Sequence, residues 1–147
     1  MPISQTCPEC GAPGQEEKTC QDHFYQMLFW ENEYPGHGAV HHLTVLCYHL
    51  QHPSLYSPQG LSAGIQLLDD FLEQGISPQE VRQQRGAEVN SRTRTWKIKG
   101  TPESHGSYDP PIRWTRTARD VVSGGADHYC ESVQTWARSI YEALHQK

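Results

Sequence analysis

The chain has 147 residues, which is long enough for one domain with a hydrophobic core. Hydrophobic residues make up only 35% of it, so the core is small, and small cores are often reinforced by a bound metal ion. The formal net charge is -5, and every apolar run falls far short of the roughly 20 residues of a membrane-spanning helix, so we expect no membrane span.

The first predicted elements are two helices behind an N-terminal loop. Residues 1–19 are rich in Pro, Gly and Glu and predict a loop. Apolar residues at helical spacing predict a helix over residues 20–33, and the Pro and Gly of residues 34–38 end it in a turn. A second helix is predicted over residues 39–51, because Pro53 disfavours helical backbone at the residue before it.

Two further helices are predicted next. Ser57 and Pro58 are typical of an N-cap and a first helical residue, and Gly75 is typical of a helix end. The apolar stripe of this helix consists of Leu61, Ile65, Leu68 and Leu72. A capping box that begins at Ser77 predicts a short helix up to about residue 85.

Residues 86–116 lack helical periodicity. Segments 93–99 and 111–116 are short and rich in β-branched and aromatic residues, which predicts either a hairpin or an irregular insert. A helical turn is predicted over residues 117–122. The clearest helix of the chain is predicted over residues 127–145. Its apolar stripe consists of Tyr129, Val133, Trp136, Ile140 and Leu144.

These elements predict a mainly α-helical protein, a small bundle in a single domain of residues 1–147. Residues 1–19 would form a zinc-binding loop and residues 20–85 the first helices. Residues 86–116 would form a basic insert, irregular or a hairpin, before the C-terminal helical segment of residues 117–147.

A zinc-binding pattern lies near the N-terminus. Cys7 and Cys10 are separated by two residues, a spacing that lets two thiolates bind one tetrahedral ion, and Gly11 allows a tight turn behind them. Cys20 supplies a third thiolate at the predicted start of a helix, where the thiolate form is favoured. A redox function is less well supported, because a CxxC redox motif follows a strand and only six residues precede this one.

Three histidines compete for the fourth position of this zinc site. His23 lies three residues after Cys20 and is the nearest along the chain. If the first two helices pack antiparallel, however, the end of the second returns beside Cys20 and brings His49 or His52 within reach. We prefer His52. A closed set of three cysteines and one histidine would be structural, whereas an open fourth position would be catalytic.

Charge is unevenly distributed along the chain. Residues 1–81 contain ten acidic residues and one base, whereas residues 82–119 contain nine bases and three acidic residues. The basic segment can balance the acidic helices internally, or it can bind an anionic ligand or nucleic acid. Few aromatic residues lie among the bases, so stacking on single-stranded nucleic acid is poorly supported.

Outside the zinc pattern, other side chains are candidates for chemistry. His41, Tyr48 and His128 are predicted to line a pocket of the bundle as catalytic residues, since imidazoles suit proton transfer near neutral pH. His41 and His128 can also converge with Asp69 or Asp70 in a second metal or acid–base site. Cys47 and Cys130 fall inside predicted helices and are expected to be buried structural residues.

The stretch from His41 to Pro53 resembles a bacterial family of unknown function. Its members share CPxCG, a later cysteine, HxLTVDxYxxQHP, and a C-terminal helix with His and Trp. The matching residues here are Cys7, Cys10, Gly11, Cys20, His41, Tyr48, Gln51, His52, Pro53, His128 and Trp136. The resemblance favours His52 over His23 as a ligand. Leu46 stands where the family pattern has Asp, so any chemistry that this Asp performs would be lost here.

The sequence therefore predicts a zinc-binding helical protein, either a small metal-dependent enzyme for an anionic substrate or a zinc-stabilised module that binds an acidic partner or nucleic acid. No nucleophile elbow, P-loop or HExxH motif indicates a reaction. Residues 1–4 carry neither the basic nor the apolar segment of a signal peptide, so we expect a cytoplasmic protein.

Overall fold

The computed structural model of the chain describes residues 7, 9–11, 19–75, 77, 79–80, 83, 99–110 and 112–145. The five helices with defined bounds are α1 (Cys20–Glu33), α2 (His41–Gln51), α3 (Pro58–Glu73), α4 (Ala118–Ser123) and α5 (Tyr129–Leu144). Short 3₁₀ turns lie at His37–Val40, Pro53–Leu55 and Ala126–His128. The described residues contain no named strand, so the prediction of a mainly helical protein is confirmed.

The chain divides into two compact units. The first consists of Met1–Gln51 and Ile112–Lys147, and the second of His52–Pro111. The first unit carries α1, α2, α4 and α5, and the second carries α3. The single domain expected from the sequence stays a prediction.

In the first unit, α1 and α2 form an antiparallel pair. Thr19 caps α1, because its hydroxyl accepts from the backbone N–H of Asp22 while the Asp22 carboxylate accepts from the N–H of Thr19. At one end of the pair, the His41 ring contacts Glu31. Further along, Tyr48 stacks on Phe24 with ring centroids 4.1 Å apart. Residue numbers thus rise along α2 as they fall along α1.

The core of the first unit is closed by α4 and α5. α4 packs on α1 and on α5, and α5 also packs along α2. The predicted apolar stripe of α5 is buried at four of its five positions. These four residues are Tyr129, Val133, Trp136 and Ile140. Gln51, the last residue of α2, is buried as well, and its side-chain N–H donates to the carbonyl of Arg116 at 2.6 Å.

Two helix starts differ from the sequence prediction by two residues. α2 begins at His41 rather than residue 39, because Gly36 adopts left-handed backbone (φ 94°) and a 3₁₀ turn follows it. α5 begins at Tyr129 rather than residue 127, again behind a 3₁₀ turn that follows a glycine with positive φ, Gly125. A tight 3₁₀ turn is a common way to begin an α-helix.

In the second unit, α3 starts as predicted. The Ser57 hydroxyl accepts from the N–H of Gly60 at 2.9 Å, and Pro58 is the first helical residue. Ser77 and Glu80 form the predicted reciprocal capping box, with residues 79, 80 and 83 helical.

In its described residues, the basic insert forms isolated β-bridges rather than a named strand. Lys99 forms an antiparallel bridge with Tyr56, and Thr101 forms one with Ser104. Of the two segments predicted to pair as a hairpin, residues 93–98 and 111 lie outside the described residues, and residues 112–116 are irregular.

None of the described helices combines the length and the apolar character that a membrane crossing requires.

Replacing Gly100 by alanine is expected to lower the free energy of unfolding by about 1–3 kcal/mol. A Cβ atom there would lie 2.6 Å from the carbonyl oxygens of Ser54 and Tyr56, so backbone would have to shift. Urea unfolding measures the change. Gly38→Ala is the control, because nothing lies within 4 Å of its Cβ, and its effect should stay below about 0.5 kcal/mol. Equal stabilities of the two variants would contradict this packing.

Candidate metal centre

Cys7, Cys10 and Gly11 lie together at a tight turn. The N–H of Gly11 donates to the carbonyl of Cys7 at 2.9 Å, and Gly11 has a φ of 78°, which a residue with a side chain rarely adopts. The N–H of Cys10 points at the sulfur of Cys7, 3.5 Å away. Backbone N–H groups aimed at a sulfur stabilise its thiolate form. Cys10 itself is buried.

The other two potential ligands lie at helix ends. Cys20 is the first residue of α1. His52 follows α2 directly, between Gln51 and Pro53, and is buried. The antiparallel pairing of α1 and α2 brings the end of α2 back toward the start of α1, as expected from the sequence.

The structure brings the four predicted metal ligands together. The Sγ atoms of Cys7, Cys10 and Cys20 and a ring nitrogen of His52 all lie within 4.8 Å of one another. Zn–S bonds of about 2.3 Å in a tetrahedron place neighbouring sulfurs about 3.8 Å apart. The donor atoms therefore need only small shifts to surround one ion, and the group can hold a metal.

The alternative fourth ligands lie elsewhere. His23 is buried in α1 and lines a cavity of about 450 Å³ whose wall also includes Tyr25, Phe29 and Val122. His49 is on α2, edge-on to the ring of Tyr48. Among the described residues, neither histidine belongs to the group of four.

Tyr48 is a neighbour of the sulfur cluster. Its ring stacks on Phe24, with the two planes within 7° of parallel, and its hydroxyl is hydrogen-bonded to the Cys20 side chain. Burial raises the pKa of Tyr48 above its ordinary range, and the hydrogen bond to Cys20 and the charges of the cysteines raise it further. The hydroxyl therefore stays protonated and donates to the Cys20 sulfur, a contact that orients a ligand.

His41 lies at the opposite end of the α1–α2 pair, against a carboxylate. Its Nδ1 is 2.6 Å from Oε1 of Glu31. Only 7% of the Glu31 side chain is exposed, compared with 57% of the His41 side chain. The hydroxyl of Tyr129 donates to the other oxygen of Glu31, and it lies 3.1 Å from Oγ1 of Thr44.

The sequence prediction did not single out Glu31 as a functional residue. A signal was present, since Glu31 follows Phe24 and Met27 at helical spacing and therefore occupies the core-facing side of α1. A charged residue at such a position needs a buried partner, because burying a lone charge is costly. The partners are His41 and Tyr129, far from Glu31 in sequence.

His128, the third predicted catalytic residue, is exposed at the start of α5. His41 and Tyr48 lie two turns apart on α2, about 10 Å along its axis. The described contacts do not join the three side chains, and a common pocket for them stays a prediction.

A second metal site is absent from the described part of the chain. No other group of three potential ligands is found there. Asp70, one of the proposed acidic members, is buried in α3, where it accepts a hydrogen bond from the Gln66 side chain at 3.2 Å.

Five of the nine bases of the basic segment lie outside the described residues. Of its nine bases, the described ones are Lys99, Arg113, Arg116 and Arg119. Lys99, Arg113 and Arg116 are exposed. Binding of an anionic ligand at this segment stays a prediction.

Comparison with known proteins identifies the family of this chain. No curated protein and no solved structure matches it significantly. A model of a family of unknown function, DUF5946, matches residues 5–145. The match extends over nearly the whole chain and includes all four residues of the metal-binding group, in agreement with the resemblance noted in the sequence. The chain belongs to the family of unknown function DUF5946.

Proposed function

We propose that this protein is a zinc protein in which Cys7, Cys10, Cys20 and His52 hold one Zn²⁺ ion. The observation that carries the proposal is the convergence of their four donor atoms within 4.8 Å. Three soft sulfur donors and one imidazole nitrogen are a common ligand set for structural zinc.

The donor chemistry favours zinc over other common ions. Calcium and magnesium prefer oxygen ligands, and this group has none. Iron–sulfur clusters are usually held by four cysteines. Copper binds thiolates too, but a tetrahedral set of sulfur and nitrogen ligands is typical of zinc.

The zinc would have a structural role. Four protein ligands fill a tetrahedral shell and leave no open position for water or substrate. Bound there, the ion would fasten the Cys7–Cys10 turn to the start of α1 and the end of α2. Its free energy of binding would then stabilise a fold whose hydrophobic core is small.

Chemistry, if it occurs, would then take place elsewhere in the chain. The enzyme hypothesis assigns it to His41, Tyr48 and His128, acting on an anionic substrate that the basic segment binds. The contact between His41 and the buried Glu31 favours acid–base chemistry at His41. The alternative is a zinc-stabilised module whose basic segment binds an acidic partner or nucleic acid. A cytoplasmic location and a bacterial origin remain expectations from the sequence.

Purified wild-type protein is expected to contain one zinc per chain. Cys7→Ser and His52→Ala should each lose most of it, because three ligands hold the ion far less tightly than four. Elemental analysis after gel filtration measures the content. His23→Gln and Cys130→Ser are matched controls that should keep the zinc, since neither residue belongs to the group. Metal-free wild-type protein, or full zinc in Cys7→Ser, would refute the proposal.

Removing the metal with a chelator is expected to destabilise the protein. A ligand that binds only the folded state at 1,000 times its dissociation constant adds about 4 kcal/mol to the free energy of unfolding. Urea unfolding of zinc-loaded and chelated samples measures the difference, and Cys7→Ser should show none. A wild type that unfolds at the same urea concentration in both samples would argue against a structural ion.

Substitution of His41 and of His128 separates the enzyme from the binding module. If the protein is an enzyme, His41→Ala should abolish turnover in a panel of phosphate and carboxylate esters while helicity and zinc content stay at wild-type values. The same is expected of His128→Ala. A wild type inactive on the whole panel that nevertheless binds an acidic peptide or nucleic acid through residues 82–119 would favour the module.

A further inference from the structure

A carboxylate, an imidazole and a phenol form a connected group where α1, α2 and α5 meet. Near the end of α1, one carboxylate oxygen of Glu31 lies 2.6 Å from His41 Nδ1 and the other accepts from the Tyr129 hydroxyl. Tyr129 is buried and only 7% of the Glu31 side chain is exposed, whereas more than half of the His41 side chain is exposed. The charged member is thus covered, and the imidazole forms the outer surface of the group.

The hydrogen bonds determine where the protons lie. An ionised carboxylate can only accept, so the proton of the His41–Glu31 bond belongs to Nδ1. Burial raises the pKa of Tyr129 above its ordinary range, and the hydrogen bond to Glu31 raises it further, so its hydroxyl keeps its proton and donates. The neutral His41 ring then carries a lone pair on Nε2.

Neighbouring side chains hold Tyr129 in place. The ring of His37 stacks on it, with centroids 5.2 Å apart and planes 6° from parallel, while Trp30 meets it edge-on. The Nε2 atom of His37 is hydrogen-bonded to the carbonyl oxygen of Ala126, 2.7 Å away. The Tyr129 proton goes to Glu31, so the Thr44 hydroxyl, 3.1 Å away, is the donor in its contact with Tyr129; the carbonyl oxygen of Val40 lies 3.2 Å from the same Thr44 oxygen. The carboxylate that orients His41 is therefore held from behind by a packed aromatic group.

We propose that Glu31 and Tyr129 are positioning residues that hold His41 as an acid–base centre, with a proton on Nδ1 and Nε2 presented to solvent. The step is a proton transfer alone: Nε2 gains a proton that a water molecule or a substrate hydroxyl loses, and Glu31 stabilises the imidazolium that results. The ligand class is a polar substrate that offers such a hydroxyl. The inference deepens the acid–base function proposed above and does not depend on the zinc.

The nearby thiol of Cys130 does not compete with His41 as the reactive group. Its sulfur lies 3.6 Å from the carbonyl of Gly36. Burial and the charges of Glu31 and Glu131 raise the pKa of Cys130, which keeps it a thiol. Thiolates are the nucleophilic form of cysteine, so the negative charge that assists the imidazole disfavours thiol chemistry beside it.

Nitrogen NMR of the zinc-loaded protein tests the proton positions directly. Long-range proton–nitrogen correlations of the neutral His41 ring should show Nδ1 protonated and Nε2 unprotonated. In Glu31→Gln this preference should weaken, because the carboxylate that favours it is gone. A His41 ring protonated on Nε2 in the wild type would overturn the proposal.

Reaction with diethyl pyrocarbonate, followed by peptide mass spectrometry, tests whether Nε2 is a reactive base. His128 is the internal comparator, since it is exposed and has no carboxylate contact among the described residues. His41 should react about tenfold faster than His128 in the wild type, and Glu31→Gln should remove most of that difference. Tyr129→Phe should have a smaller effect in the same direction.

The controls separate this inference from the proposed functions. Zinc content and helicity are measured on each variant, and Glu31→Gln should match the wild type in both. A purely structural contact between α1 and α2 predicts equal reactivity of His41 and His128, which would overturn the proposal even with zinc bound. If NMR and labelling agree with the proposal but His41→Ala keeps full activity, the acid–base function fails and the geometry of the centre stands.

Discussion

The stacking of Tyr48 on Phe24 sets the alignment on which the rest of the structure depends. It aligns α2 with α1 in one antiparallel register, with about one turn of helix between the contact and the Cys20 end and about two turns between it and the Glu31 end. That register places Cys20 and His52 at one end of the pair and Glu31 and His41 at the other. Sliding α2 by one turn would shift each pair by about 5 Å, so both sites depend on the register that this aromatic contact helps to hold.

The two ends of the helix pair differ in their exposure and their chemistry. At the sulfur end, three sulfurs and one ring nitrogen lie close together around a common point, and the Tyr48 hydroxyl is hydrogen-bonded to the sulfur of Cys20. At the carboxylate end the charge is buried but the imidazole is exposed. A closed donor set suits a structural role, and a buried acid beneath an exposed base suits a reactive one. The two candidate sites thus have separate locations on the same two helices.

Local patterns in the sequence predicted the three cysteines of the group that could hold a metal. The fourth ligand depended on an assumed antiparallel pairing of two helices and on the family resemblance, which favoured His52 while His23 and His49 remained alternatives. Glu31 was overlooked because periodicity arguments assign charged helix residues to the solvent side, and its partner Tyr129 is 98 positions away. The bridge between Lys99 and Tyr56 was missed for the same reason, since nothing local to either residue indicates the other.

The sequence positions of the residues that form the two sites also imply an order in which the sites form during synthesis. All four potential metal ligands lie between residues 7 and 52, whereas Glu31 is not covered until Tyr129 has been synthesised. Chains begin to fold from the N-terminus during synthesis. A metal ion bound by these four residues would therefore join α1 to α2 in the nascent chain before α5 has been synthesised. The helix that completes the acid–base group then docks onto a pair whose register is already set.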